Sequence, residues 1–452
     1  MSGDRAAAAT RGGRPRSVVR GVGGPWRASY VRCCGTRYRS KAACRCCPTA
    51  AAGSNEVTVL PADRARDVVD ERAEDLIELS HAIHADPELG FAELRSSARV
   101  ATVLADHGFA VEWAAAGLET AFVARAGSGP LRIAICCEYD ALPGVGHACG
   151  HNVIASAAVG AGIALAAVAD ELGLTVDVVG TPAEEGGGGK VLMLEAGVFD
   201  GYHAALMVHP FPFDGLEPAV LAAQGFEIRY EGREAHAGAY PELGINAADA
   251  FVVAQTAIGL LRQHLRRTDR VHGIVTHGGD AQNIVPAHTA GKWMVRATTL
   301  DDLDDVRLRV MRCFEAGAVA SGATLEVSYL PRYGQMVHDP DLVALYRTAA
   351  ESLGRSFTAG GGAGSFSTDM GNVSLLLPSI HPAIGIDARG SSNHQPEFAA
   401  ACATQSADRA VMDGAKALAL TAIGAALDAR IRERLLSLGS ERATLRGSAG
   451  RR

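Results

Sequence analysis

The sequence predicts an α/β domain, a mostly parallel sheet covered by helices, interrupted by a ferredoxin-like α+β domain. Three observations carry this. Between residues 120 and 208 strand-like runs alternate with helix-like runs, the pattern of βαβ units whose sheet is covered on both faces. After Leu221 the order becomes β-α-β-β-α-β, that of a ferredoxin-like unit. After Met336 the first style returns, so one α/β domain is split in sequence by an insertion. The expected boundaries are a disordered basic extension at 1–60, the α/β domain at 61–221 and 337–435, the insertion at 222–336, and a basic tail at 436–452 that frays from 442.

Taken in order, 65–85 reads as an amphipathic helix, because Val68, Val69, Leu76, Leu79 and Ile83 recur near helical spacing among charges. Asp86-Pro87 ends it. A second helix at 93–107 is stopped by Gly108. Strands follow at 120–126 and 131–137, then a long Ala-rich helix at 152–172. The strand 176–181, the helix 189–196 and the strand 204–208 complete the first half. In the insertion, strands are expected at 225–230, 273–277, 293–298 and 325–329, with helices at 247–265 and 303–316. The return to the first style brings a helix at 339–353, a Gly-rich loop and a strand at 374–377.

The chain of 452 residues is 48% hydrophobic and 21% charged, proportions that exclude wholesale disorder. No stretch is expected to reach about 18 strongly apolar residues; the nearest, the uncharged run 153–169, reads as a buried core helix. Residues 1–55 sum to +10 and the remainder to −17, and an acidic body argues against nucleic-acid binding. Cys33, Cys34, Cys44, Cys46 and Cys47 crowd into the basic extension without zinc-site spacing. The remaining five are scattered, which fits a reducing, cytoplasmic location rather than a disulfide framework. His81 and His84 read as packing or surface residues, and Cys136 and Cys137 as part of a core strand.

Four segments carry chemistry. Glu138-Tyr139-Asp140-Ala141-Leu142-Pro143 and His147-Ala148-Cys149-Gly150-His151-Asn152 follow an apolar strand and open a helix, where ligands gather in α/β folds. A thiolate and an imidazole two residues apart, near acids, suit a borderline-soft divalent metal; a structural turn with a buried thiol is the plain alternative. Glu184-Glu185, ahead of four glycines at the end of a buried strand, lets one carboxylate bind metal while its neighbour takes a proton from water; a solvated surface pair is the alternative. His209 ends another strand, and His394 lies in Ser391-Ser392-Asn393-His394-Gln395.

Together with Ser367-Thr368-Asp369-Met370-Gly371-Asn372-Val373-Ser374, these runs make residues 65–430 resemble the aminoacylase, acetylornithine deacetylase and glutamate carboxypeptidase family of zinc metallopeptidases. Within it they look like the aminobenzoyl-glutamate hydrolase and Xaa-Arg dipeptidase branch. The resemblance implies Cys149, His151, Glu185, His209 and His394 as metal ligands, Glu184 as general base and acid, and Asp140 as the residue that orients the site. Cys149 stands where most of the family has a bridging Asp, and Glu138 where much of it has a ligand His. In the insertion, His236 is implied to stabilise the oxyanion, often from the second copy of a dimer, and Asn283 to point at substrate. The resemblance places Arg296 where relatives hold a carboxylate, which a planar guanidinium grips with two hydrogen bonds, and the loop 360–364 is expected to add backbone donors; a surface strand arginine and a flexible linker are the plain alternatives.

The implied reaction is hydrolysis of the amide bond of a dipeptide, or of an aminoacyl or aminobenzoyl amino acid, with a free carboxylate. One or two Zn2+ ions per chain are expected, with Mn2+ or Co2+ as alternatives. The expected partners are a small-molecule substrate and a second copy in a homodimer built through the inserted lid, with no nucleic acid and no membrane. The competing readings are an N-acyl-amino-acid deacylase, a Cys149 nucleophile with His151 or His147 as base, and a metal-binding homologue without catalysis.

Overall fold

The structure is a computed structural model and describes residues 60–357 and 366–449, with side chains to residue 442. The basic extension, its cysteines and the loop 360–364 lie outside the described residues.

The first helix of the sequence reading is two, α1 (Pro61–Glu71) and α2 (Ala73–Ala85), because Arg72 leaves helical angles at φ −102° and ψ 10°. Then come α3 (Leu94–Asp106), β1 (Ala110–Trp113), β2 (Phe122–Gly127), β3 (Leu131–Cys137) and α4 (His151–Ala166). They are followed by α5 (Ala169–Leu172), β4 (Leu174–Gly180), α6 (Gly189–Glu195), β5 (Ala204–Leu206) and β6 (His209–Phe211). The insertion contributes β7 (Ala222–Glu231), α7 (Ala247–Leu261), β8 (Arg270–His277), β9 (His288–Ala297), α8 (Leu300–Ser321) and β10 (Thr324–Tyr333). The chain ends with α9 (Pro340–Ser352), α10 (Met370–Leu376), β11 (Ser379–Ile380), β12 (Ala383–Gly385), α11 (Pro396–Ala401), α12 (Gln405–Leu427) and α13 (Ala429–Ala449).

The main sheet runs β1-β2-β4-β3-β5-β11. The neighbours from β4 to β11 are parallel, and β1 and β2 add an antiparallel edge. Both faces of β3 are buried, and adjacent thiols sort to opposite sides: Cys137 packs with α4 and α12, Cys136 with α6 and α10. Every residue of α4 from His151 to Leu165 is buried. Its glycines make that packing feasible; a Cβ at Gly160 would stand 2.8 Å from Ala415 Cβ and Leu76 Cδ1. The insertion's sheet runs β10-β7-β9-β8, all antiparallel, the ferredoxin-like order, with its own core against α7 and α8.

Three sequence expectations are corrected. The run 374–377 is not a strand but the end of α10, because a short apolar run carries no period to separate strand from helix. Among the described residues one helix, α12, is long and apolar enough to cross a membrane, yet about two-thirds of that stretch is buried inside the protein, as for a core helix. The tail, expected to fray from 442, stays helical further: α13 continues to Ala449, Leu435 is buried and Arg442 donates to the Tyr202 carbonyl at 2.7 Å. Truncating Leu435→Ala should therefore cost about 2–5 kcal/mol, measurable as a lower urea midpoint; an unchanged midpoint would show that α13 contributes nothing to the core.

Candidate active site

The register of β3 and β4 pairs Cys137 with Gly180. The residues that follow both strands therefore emerge side by side, and these are Glu138–Asp140 and Thr181–Glu185. Asp140, almost wholly buried, ties them together. Its Oδ1 accepts from His151 Nδ1 at 3.0 Å, and its Oδ2 from the Glu185 backbone N–H at 3.0 Å. His151 is the first residue of α4 and Gly150 its N-cap, at φ +76°. A Cβ on Gly150 would lie 2.4 Å from Pro210 Cγ, so only glycine sets Cys149 and His151 this close to β6.

The Glu184-Glu185 pair is held from three directions. Ala183, at φ +57°, donates its N–H to buried Glu93 at 2.8 Å. The Tyr333 hydroxyl, at the end of β10, donates to the Glu184 carbonyl at 2.6 Å. Asp140 holds the Glu185 N–H. His394, also at positive φ, is fixed by its N–H to the Ala148 carbonyl at 2.8 Å. Such strained positions persist only where the surroundings fix them.

The structure brings all five sequence-predicted metal ligands together around Cys149. Its Sγ lies 3.5 Å from His209 Nε2 and 3.6 Å from His394 Nε2. Two donor groups, Cys149-His151-His209 and Cys149-Glu185-His394, each hold their ligand atoms within 4.8 Å and share the thiol. Glu184 belongs to neither; its Oε2 lies 3.9 Å from His151 Nε2, in a third group with Glu138.

The donor set fits divalent metal. His209 Nδ1 gives its proton to the Pro210 carbonyl at 2.9 Å, and His151 Nδ1 gives its proton to Asp140, so both Nε2 atoms point into the cluster. Burial, then the neighbouring His381 and His151, push His209 well below its usual range, which leaves a neutral imidazole. Burial opposes a charge on His151, yet Asp140 outweighs it and holds His151 well above the usual range. Burial, then Glu138 and Glu185, push Glu184 well up; burial, then Glu185, do the same to the Cys149 thiol. His151 Nε2, Glu138 Oε2 and Glu185 Oε1 are buried without hydrogen-bond partners. Buried lone pairs and acids packed this densely call for a cation.

A cavity of about 250 Å³ beside the cluster is lined by Leu142, Met294, Leu330, Tyr333 and Arg296 together with Glu184 and Glu185. Arg296 Nη1 donates to Ser367 Oγ at 2.8 Å, and among the described residues no carboxylate lies within salt-bridge distance of it. His236 and Asn283 stand together in the insertion, through a bridge between His236 and Ile284, but both are exposed and neither lines this cavity. His147 packs against His84 instead of Cys149, and burial pushes it down to about 3. Sequence reasoning passes over Glu93, Lys190 and Tyr333, and singles out Asp369 only as part of a motif. Each acts through a partner far along the chain, so local spacing carries no trace of it.

The profile of peptidase family M20/M25/M40 matches residues 135–422. The Xaa-Arg dipeptidase of Mus musculus is 38% identical over 382 residues, covering 80% of this chain and 88% of its own. A p-aminobenzoyl-glutamate hydrolase chain of Escherichia coli is 35% identical over 273 residues, covering 54% of this chain and 57% of its own. A Bacillus subtilis structure described as a dinuclear metal binding peptidase superposes with a TM-score of 0.61 at 22% identity, over 78% of this chain and 98% of that one.

Replacing Asp140 by Asn should leave the fold intact but weaken metal binding about 10–100-fold, read by titrating apo-protein with Zn2+ against a chelating indicator. Binding equal to the parent's would show that Asp140 does not orient the donors.

Proposed function

The chain belongs to peptidase family M20/M25/M40 and is a hydrolase of amide bonds; on that premise we propose that it is a metal-dependent dipeptidase acting on substrates with a free carboxylate. The observation that carries this reading is the shared thiol: Cys149 sits between two donor groups, with Glu184 beside them and Arg296, unpaired with any acid among the described residues, in the same cleft. Cys149, His151 and His209, or Cys149, Glu185 and His394, would hold a divalent ion, whose chemistry when bound would be to acidify a water and polarise the scissile carbonyl. Thiolate with imidazole favours zinc, with manganese or cobalt as substitutes.

The chain's own groups do the rest. Glu184 lies outside both donor groups, and burial with Glu138 and Glu185 raises its affinity for a proton; in its ionised form it takes one from the attacking water and returns it to the leaving amine. Arg296 binds the substrate carboxylate; burial pushes its guanidinium below the usual range, and a bound carboxylate relieves that cost. The apolar wall of Leu142, Met294 and Leu330 packs the neighbouring part of the substrate. The relatives' names supply two candidates, a dipeptide ending in arginine and p-aminobenzoyl-glutamate, both of which end in a free carboxylate. The greater coverage of the dipeptidase favours the first, with an N-acyl amino acid as the alternative. The described cysteines are all free thiols, which suits a reducing compartment such as the cytoplasm.

A homodimer through the insertion completes the reading. The edge strand β8 exposes Ile274 and Val275, and α7 exposes Val252 and Leu260, an apolar edge of the kind that pairs with a second copy. A second copy is also what the reading needs to bring a His236 to a cleft that its own chain's His236 does not line.

Protein reconstituted with Zn2+ or Mn2+ should hydrolyse members of a panel of dipeptides and N-acyl amino acids, and spare the same compounds with the carboxylate amidated. Glu184→Ala should lower turnover about 10²–10⁴-fold with metal content unchanged; full activity in that variant would remove Glu184 from the mechanism. Glu184→Ala and His236→Ala, each nearly inactive alone, should recover activity when co-expressed, because a mixed dimer holds one intact site. No recovery from co-purified mixed dimers would place His236 in its own chain's site or outside catalysis.

A further inference from the structure

Lys190 lies in the first turn of α6, directly after the glycine run, and its ammonium is wholly buried. It donates to Glu138 Oε1 at 2.5 Å and to Asp369 Oδ1 at 2.6 Å, while its backbone N–H donates to Asp369 Oδ2 at 2.9 Å. Asp369 therefore grips Lys190 at both ends, and the ammonium has a single place to point. Three distant segments meet here: the end of β3, the start of α6 and the start of α10. Charged groups are almost never fully buried unless paired, and one ammonium between two carboxylates leaves the triad with a net negative charge.

That charge has an outlet. Glu138 Oε1 is committed to Lys190, but Oε2 is buried without a hydrogen-bond partner and lies 3.5 Å from His151 Nε2. His151 Nε2 is also buried and unpartnered, because the ring proton goes to Asp140. With the ring proton on Nδ1, His151 Nε2 and Glu138 Oε2 present two lone pairs to one buried space, and a metal ion between them satisfies both. A carboxylate that ligates metal through one oxygen is usually hydrogen-bonded through the other, and here Lys190 makes that bond.

We propose that Glu138 is a further oxygen donor to the ion held by His151, and that Lys190, gripped by Asp369, is the positioning residue that keeps it there. This rests on the metal-dependent reading of the site. It gives Glu138 a purpose that the five-ligand set leaves unassigned, and it explains why a lysine is buried beside a cluster of acids without contacting the cleft.

The test uses metal binding alone. Full-length apo-protein is titrated with Co2+, followed by visible absorption and by elemental analysis of bound metal, with apo-protein melting as the folding control. The variants are Glu138→Gln, Lys190→Met, the double variant, and His151→Ala to identify the ion concerned. The equivalent lost in His151→Ala should bind about 10–100-fold more weakly in Glu138→Gln and in Lys190→Met, with an altered cobalt spectrum. The double variant should bind no more weakly than Glu138→Gln, because Lys190 acts through Glu138. If Lys190→Met does not fold, Asp369→Asn replaces it, leaving the ammonium paired with Glu138 but no longer gripped, and should weaken the same equivalent. Parent-like affinity and spectrum in Glu138→Gln overturns the proposal, and additive losses in the double variant overturn the role of Lys190. A parent protein that binds no metal overturns the metal-dependent reading itself, a result distinct from either.

Discussion

One carboxylate organises the cleft. Asp140 spends one oxygen on the imidazole of His151 and the other on the backbone of Glu185, and so joins the end of β3, the start of α4 and the loop after β4. The first bond selects the tautomer that leaves His151 Nε2 directed inward; the second places Glu185 opposite His394, whose Nε2 lies 3.6 Å from the Glu185 carboxylate. Both bonds are possible because β3 and β4 are parallel neighbours in register, so that their C-terminal loops leave the sheet together. The parallel sheet is thus a condition of the chemistry as well as a frame for it.

The inserted domain is tied into the same arrangement. Its last strand, β10, ends at Tyr333, whose hydroxyl holds the Glu184 carbonyl, while the Asn372 side chain donates to the Arg332 carbonyl and accepts from the Gly334 N–H. The strand that leaves the insertion is therefore clamped between the loop bearing the proposed base and the start of α10. Arg296 reaches the cleft from β9 of the same sheet and meets Ser367 of the α/β domain. Any movement of the insertion is felt at the base and at the carboxylate-binding side together.

Much of this is legible in the sequence for a physical reason. Side chains able to hold a metal lie at the ends of strands in short, unusual runs, so Cys149-Gly150-His151 and Glu184-Glu185 announce themselves, and β3 reads true because both its faces are apolar. The supporting residues do not announce themselves. A lysine at the start of the helix expected at 189–196 gives no sign of burial, and only the fold brings Glu138 and Asp369 to it. Glu93 reads as a helix start, but its carboxylate is buried and holds Ala183 from 90 residues away. His236 and Asn283 carry a recognisable motif, yet neither lines the cleft in this structure, and no spacing encodes where the insertion sets them. The break at Arg72 and the continuation of α13 escape a sequence reading because amphipathic charge patterns are the same on either side of a helix break.

The charge balance of the cleft links these parts. Glu138, Asp140, Cys149, Glu184, Glu185 and Asp369 bring acidic groups into one neighbourhood, and the ammonium set among them is Lys190. The environment does not treat them alike. Burial would raise Asp140, but His151 and the Glu185 N–H outweigh it and hold the carboxyl below its usual range. Burial raises Glu184 with no hydrogen-bonded cation against it, and Glu138 and Glu185 push the same way. Two carboxylates in one site are thereby driven apart: one is held toward its ionised form, the other toward its protonated form. That separation is what assigns acid–base work within a cluster of like groups. Lys190 bears on the same balance, because an unneutralised Glu138–Asp369 pair would add to the field that Glu184 feels, and the proposed base must be ionised to act.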